Sequence, residues 1–193
     1  MKFLCGIDEA GRGPLAGPLV VAGVILKKDI LGLNDSKKLS EKKREKLFDE
    51  IKESSKYHIV FKSAKEIDDF GISFCLKSSI LEIMQNLQEF SDSFLMDGNT
   101  NFGIKNLQKE IKADAKYTCV SAASILAKVS RDRFMDKISS NYPNYNFDKH
   151  KGYGTKAHIE AIKEFGRSDI HRVTFKLKAL GETEFGNQTL LSF

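Results

Sequence analysis

Asp8 and Glu9 stand side by side at the end of a short apolar run made by Phe3, Leu4 and Ile7, and Asp97 closes a second such run, SFLMDGN. Asp114, in the stretch KADAKY ahead of a long helical pattern, is a fourth candidate carboxylate. Strand ends are where a sheet presents site residues, because the strands are rigid and the loops beyond them are open. Carboxylates that converge repel one another unless a positive charge neutralises them. Hard oxygen donors without an adjacent His or Cys set point to Mg²⁺ or Mn²⁺ rather than zinc. Such cations suit phosphoryl transfer, with two metals ~3.5–4 Å apart clamping the attacking and leaving oxygens. An acidic residue at a strand end also serves as a turn former or as the partner of a lysine. Residue types alone leave both readings open.

The elements that must hold these groups follow from periodicity. Phe3 to Ile7 and Leu19 to Leu26 are apolar and bounded by turn residues, so both read as buried strands, adjacent and antiparallel. GRGPLAGP between them, rich in glycine and proline, is a loop. Ser40 caps a charged helix with the apolar stripe Leu47, Phe48 and Ile51. Tyr57 to Ser63 reads as a strand. Ser73 to Phe90 reads as an amphipathic helix carrying Phe74, Leu76, Ile80, Leu81, Met84 and Leu87. A strand ending at Asp97 follows, with a turn at Gly98-Asn99, then a short strand between Gly103 and Ala115. Val120 to Ser139 is a long helix, and Thr155 caps another that runs to Phe165 and stops at Gly166. The alternation predicts an α/β sheet with a mostly helical last third. On the long helix Ser121, Ser124, Lys128 and Arg131 share one face, suited to a phosphate backbone or to close helix packing. Asp132 is a further candidate carboxylate, with a simple pairing to Arg131 or Lys128 as the alternative.

With 193 residues, 41% apolar and 30% charged, the chain fits one soluble globular domain of residues 1–180, with a tail over residues 181–193. A net charge of +5 favours a polyanion such as nucleic acid as partner, although a lysine-rich surface without a ligand gives the same sum. Cys5, Cys75 and Cys119 lie far apart among apolar neighbours, without zinc spacing, and read as reduced core residues of a cytoplasmic protein. Neither a signal-peptide core nor an apolar stretch long enough for a bilayer is expected, so no membrane partner is anticipated and a monomer is.

GIDEAGRGPLAGPLVVAGVIL closely resembles the first motif of the type II ribonucleases H, and DSKKL, DGN, KADAKY, SAASILAKVSRD and HKGYGT follow in that family's order over residues 3 to about 175. The resemblance implies an RNase H-like fold: a central mixed β-sheet flanked by helices, with a helical C-terminal portion. It implies a metal-dependent endoribonuclease that hydrolyses the RNA strand of RNA–DNA hybrids. It also implies incision 5′ of single ribonucleotides embedded in duplex DNA, leaving 3′-hydroxyl and 5′-phosphate ends. Mapped by motif, the catalytic, metal-holding carboxylates are Asp8, Glu9, Asp97 and Asp114, with Ala113 where many bacterial members have glycine. By the same resemblance Gly11, Arg12 and Gly13 read the minor groove at the ribonucleotide. That agrees with a glycine backbone approaching a 2′-hydroxyl that both donates and accepts hydrogen bonds. Tyr153, between two glycines, is implied to stack on the deoxyribose after the ribonucleotide. Lys128 on the long helix, and Lys37 and Lys38 beside Ser36, are candidate phosphate contacts, with a solvated face as the alternative.

Gln188, Leu191 and Phe193 make a Q-x-x-L-x-F pattern that looks like the peptide by which bacterial replication proteins dock on the sliding clamp. An apolar C-terminus folded back on its own core is the alternative. The nearest enzymatic rival is the sister type III ribonuclease H, and the rival of another class is a non-catalytic hybrid-binding module.

Overall fold

The computed structural model describes residues 3–33, 39–177 and 180–182. Lys37, Lys38, Gln188, Leu191 and Phe193 lie outside the described residues. Five strands, β1 (Leu4–Ala10), β2 (Leu19–Leu26), β3 (Ser55–Lys62), β4 (Ser93–Asp97) and β5 (Leu107–Glu110), form one mixed sheet in the order β3-β2-β1-β4-β5. The expected antiparallel pair β1–β2 is present, with Asp8 opposite Ala22, and β3 extends it antiparallel. β4 and β5 lie parallel to β1 on its other side.

Helices cover both faces, which is why LVVAGVIL in β2 is apolar without alternation. Leu19, Val21 and Ile25 face α2 (Ala64–Phe70) and α3 (Ile72–Leu87). Val20, Ala22 and Val24 face α1 (Glu41–Ser54) and the long α4 (Thr118–Ser139). A third cluster joins Leu15, Ala16 and Met135 to Phe147 in α5 (Phe147–His150) and Ile162 in α6 (Lys156–Phe165). No helix among the described residues is long and apolar enough to cross a membrane. Cys5, Cys75 and Cys119 are buried free thiols.

Several expectations need correction. β1 runs on through Ala10, so Asp8 and Glu9 belong to the strand itself. α2 was not anticipated. Ser63 and Glu66 close a reciprocal cap at its start, which lets a helix of only seven residues form. The stripe of α3 is rotated, burying Cys75, Ser79 and Ile83 while Phe74 and Leu81 stay 56% and 45% exposed. The cause sits across the sheet, where Gly23 leaves a slot that Ile83 fills; a Cβ there would lie 2.2 Å from Ile83 Cγ2.

A second slot sets the closeness of α4. A Cβ on Gly6 would lie 2.3 Å from Val120 N and 2.4 Å from the Cys119 carbonyl carbon. Backbone cannot move aside as a flexible side chain can, so Gly6→Ala is expected to cost about 2–3 kcal/mol of stability. Urea denaturation checks this, and an unchanged midpoint refutes the close approach.

Candidate active site

β1 and β4 are paired in parallel with Ile7 beside Met96, so one step further Asp8 and Asp97 are neighbours on adjacent strands. Gly6 packs on Cys119 and Val120 of α4, and Leu95 shares a cluster with the same two residues. Alternation therefore directs Asp8 and Asp97 to the α4 side as well. Asp8 is buried there, with the Ser124 hydroxyl and the Glu9 amide as hydrogen-bond partners. Burial first, then the charges of Glu9 and Asp97, push its carboxyl up to about 8. The Asp97 Oδ1 accepts a hydrogen bond from the Ala113 amide at 2.9 Å, which seats the turn Ala113–Ala115, and with it the buried Asp114, next to Asp97.

Glu9 pairs with Val21 of β2, and its Oε1 lies 3.7 Å from the Arg12 guanidinium. Among the described residues no three acidic, histidine or cysteine side chains are gathered closely enough to form a ready-made cation cage. In donor chemistry the set fits a hard divalent cation. It offers oxygen ligands only, and the ionised form of Asp8 is opposed by neighbouring negative charge that such a cation would offset.

A cleft of about 380 Å³ opens beside Glu9 and beside Ser124, the hydrogen-bond partner of Asp8. Glu9, Gly11, Arg12 and Gly13 form one wall, and Ser124, Lys128 and Tyr153 face them. Residues spread from position 9 to position 153 are thus brought to one place. Tyr153 is 42% exposed, with Lys128 Nζ 5.8 Å and Arg131 Cζ 5.5 Å from its ring centroid. Arg44 of α1 also lines the cleft and was missed from sequence. The available signal was a cation three and four residues before the buried Leu47 and Phe48, on the stripe that turns inward.

The shared face of α4 is corrected in part. Ser121 is fully buried and donates to the Leu33 carbonyl. Arg131 is fully buried and donates to the carbonyls of Pro18, Lys151 and Ala16. Only Ser124 and Lys128 of the four reach the cleft, because loops from both ends of the chain cover the rest of that face. Asp132 pairs with Lys128 at 2.8 Å. Arg172, also fully buried and absent from the sequence reading, donates to the carbonyls of Gly11, Arg12 and Gly17. Burial and the nearby Arg131 draw its guanidinium down to about 9, still charged at neutral pH.

Behind Tyr153 lies a chain of neutral histidines. The Ser168 amide donates to His171 Nδ1 at 2.9 Å, which leaves the His171 proton on Nε2, 3.0 Å from His158 Nε2. The His158 proton then sits on Nδ1 and is donated to the Tyr153 carbonyl at 2.9 Å. Burial pushes both imidazoles from 6.5 down to about 4. Since the folded values lie below the unfolded one, their contribution to stability is complete above pH 6.5 and is lost as pH falls through about 4. The first proton costs on the order of 3 kcal/mol. Imidazole ring resonances of His158 and His171 are expected to stay flat in an NMR titration above pH ~5; a midpoint near 6.5 overturns the arrangement.

A family model described as Ribonuclease HII matches residues 5–178. A ribonuclease HII from Aliarcobacter butzleri is 84% identical over 191 residues, covering 99% of this chain and all of that protein. One from Sulfurovum sp. is 58% identical over 94% of this chain and 95% of its own length. In solved structures, the ribonuclease HII of a PCNA:RNase HII complex from Archaeoglobus fulgidus superposes with a TM-score of 0.79 at 31% identity, over 91% of this chain and 96% of that one. Bst-RNase HIII, solved in complex with Mn²⁺, shares the fold at 17% identity with a TM-score of 0.72, over 93% of this chain and 70% of that one. With its sheet and these relatives in agreement, the chain belongs to the ribonuclease HII family, divalent-metal-dependent endonucleases that cut the RNA strand of RNA–DNA hybrids.

Proposed function

We propose that this enzyme also incises duplex DNA 5′ of single embedded ribonucleotides, leaving 3′-hydroxyl and 5′-phosphate ends, with Mg²⁺ or Mn²⁺ as cofactor. The observation that carries the reading is the cleft itself, which sets Gly11, Arg12, Gly13 and Tyr153 together with Glu9 and with Ser124, the hydrogen-bond partner of Asp8. Asp8, Glu9, Asp97 and Asp114 are the proposed catalytic residues and would hold two cations. Asp8 and Asp97 stand closest in the sheet register, and Asp114 arrives on the turn tied to Asp97. When bound, the metals supply neutralisation of the phosphodiester and a more acidic attacking water. The turn at Gly11 presents backbone to the sugar of the ribonucleotide, where its 2′-hydroxyl distinguishes RNA from DNA. Tyr153 offers an exposed ring on which the next, 2′-deoxy sugar stacks, and a 2′-hydroxyl there would crowd it. Lys128 and Arg44 contact backbone phosphates from the cleft wall, and Lys37, outside the described residues, is a further phosphate contact in this reading.

The test is cleavage of a duplex carrying one ribonucleotide, in Mg²⁺ with an EDTA control. A single cut 5′ of the ribonucleotide, lost in EDTA, is expected; binding without a cut in either metal defeats the reading.

The same proposal assigns residues 1–180 to a catalytic domain acting as a monomer in the cytoplasm. The tail carrying Gln188, Leu191 and Phe193 docks on the bacterial sliding clamp. The archaeal relative solved in complex with PCNA favours a clamp as partner. Deleting residues 184–193 is expected to abolish clamp capture in a pull-down and leave hybrid cleavage intact; undiminished capture removes the tail's role.

A further inference from the structure

We propose that Arg131 and Arg172 are positioning residues that lock the Gly11–Gly13 turn and the Tyr153 loop at one spacing, and so set the preference for a ribonucleotide followed by DNA. The inference rests on the function proposed above. Two buried guanidinium groups here satisfy main-chain carbonyls, an expensive use of charge in a core. Arg172 holds Gly11, Arg12 and Gly17, and Arg131 holds Ala16, Pro18 and Lys151. Six carbonyls from two loops more than 130 residues apart in sequence are thereby fixed to one pair of forks.

The loops also touch directly. The Leu15 and Ala16 amides both donate to the Gly152 carbonyl, at 2.8 and 3.3 Å, and the Gly17 amide to the Ile170 carbonyl at 2.9 Å. Glycine makes the seam possible. A Cβ on Gly11 would lie 2.2 Å from Arg131 Nε, and one on Gly152 would lie 2.4 Å from the Ala16 oxygen.

The brace has an orienting effect as well. In a trans peptide the carbonyl and the following N–H point in opposite directions. Holding the Gly11 and Arg12 carbonyls against Arg172 therefore aims the Arg12 and Gly13 amides away from it, and these residues line the cleft. Arginine suits the task because its rigid fork presents five donors in a plane; lysine keeps the charge but cannot span the carbonyls.

Two readouts on Arg172→Lys test this. Amide hydrogen exchange at residues 15–17 and 152–155 is expected to speed at least tenfold, with β1 amides unchanged. The ratio of kcat/KM for a single-ribonucleotide duplex to that for a uniform RNA–DNA hybrid is expected to fall at least fivefold. A merely structural role lowers both substrates alike through the folded fraction and leaves the ratio fixed, which overturns the proposal. Unchanged exchange overturns the brace whatever the ratio does. A wild-type enzyme that does not cut the single-ribonucleotide duplex defeats the underlying function and with it the specificity claim, while exchange still decides the brace. If Arg172→Lys does not fold, Arg131→Lys carries the same two readouts from the other fork.

Discussion

Asp8→Asn is expected to lower kcat/KM on RNA–DNA hybrid by at least ~10³-fold while the chain stays folded. Asparagine keeps the shape and removes the charge. Asp8 is where charge matters most, because burial, Glu9 and Asp97 already oppose its ionisation and hold it near 8. The sign of the stability effect follows. A folded value raised above the ordinary 3.8 stabilises the metal-free protein below pH 3.8, and that contribution is lost as pH rises through about 8. At neutral pH the metal-free wild type therefore carries a penalty that the amide lacks, and Asp8→Asn melts at the same temperature or higher. Mg²⁺ reverses the comparison. A ligand that binds only the folded state raises the wild-type melting temperature by mass action, and the variant gains little. In the proposed role Asp8 would shed its proton to become a ligand, so apparent Mg²⁺ affinity is expected to rise as pH climbs toward about 8. Steady-state kinetics with paired melts in EDTA and Mg²⁺ check all of this. Full activity in Asp8→Asn would falsify the carboxylate assignment.

Tyr153→Ala is the second large effect. Its ring is open to solvent, while its backbone is fixed on both sides, by its amide to the His150 carbonyl at 2.9 Å and by its carbonyl to His158. Removing the ring deletes a contact surface without unpicking the loop, so the melting temperature stays within a degree or so of wild type. Stacking of a nucleic-acid unit on an aromatic ring is worth ~1–3 kcal/mol. A loss of about 10–100-fold in kcat/KM on the single-ribonucleotide duplex is the corresponding effect, with a smaller loss on uniform hybrid. Tyr153→Phe is expected to behave like wild type, since in the proposed stacking the ring rather than the hydroxyl makes the contact. Equal losses on both substrates would place Tyr153 outside junction recognition.

Much of this arrangement was legible before the fold. β1 and β2 stand out because each is a short apolar run between turn residues, and Ser40, Thr155 and Gly166 mark helix ends by the hydrogen bonds they make there. The placement of Asp97 at the end of β4 follows from the same kind of run, whereas β1 runs on past Asp8 to Ala10. What was not legible depends on what covers a face. Spacing puts Ser121, Ser124, Lys128 and Arg131 on one side of α4, but only the fold shows that loops from residues 15–18 and 150–152 close over Arg131 and leave Lys128 open. α3 carries apolar residues around much of its circumference, so its buried side was set by the slot at Gly23 and not by its own sequence. Arg172 gave no local signal, because the carbonyls its guanidinium donates to all lie in a loop over 150 residues earlier.

That last separation has a consequence in time. Gly11 and Arg172 are 161 residues apart. At roughly 5–20 residues per second, a ribosome needs about ten to thirty seconds to go from one to the other. Throughout that interval the nascent chain already holds Asp8 and Glu9, and later Asp97 and Asp114, yet the turn over them has no fork to close on. A polypeptide emerging beside its own messenger RNA thus completes its nuclease cleft among the last things it makes.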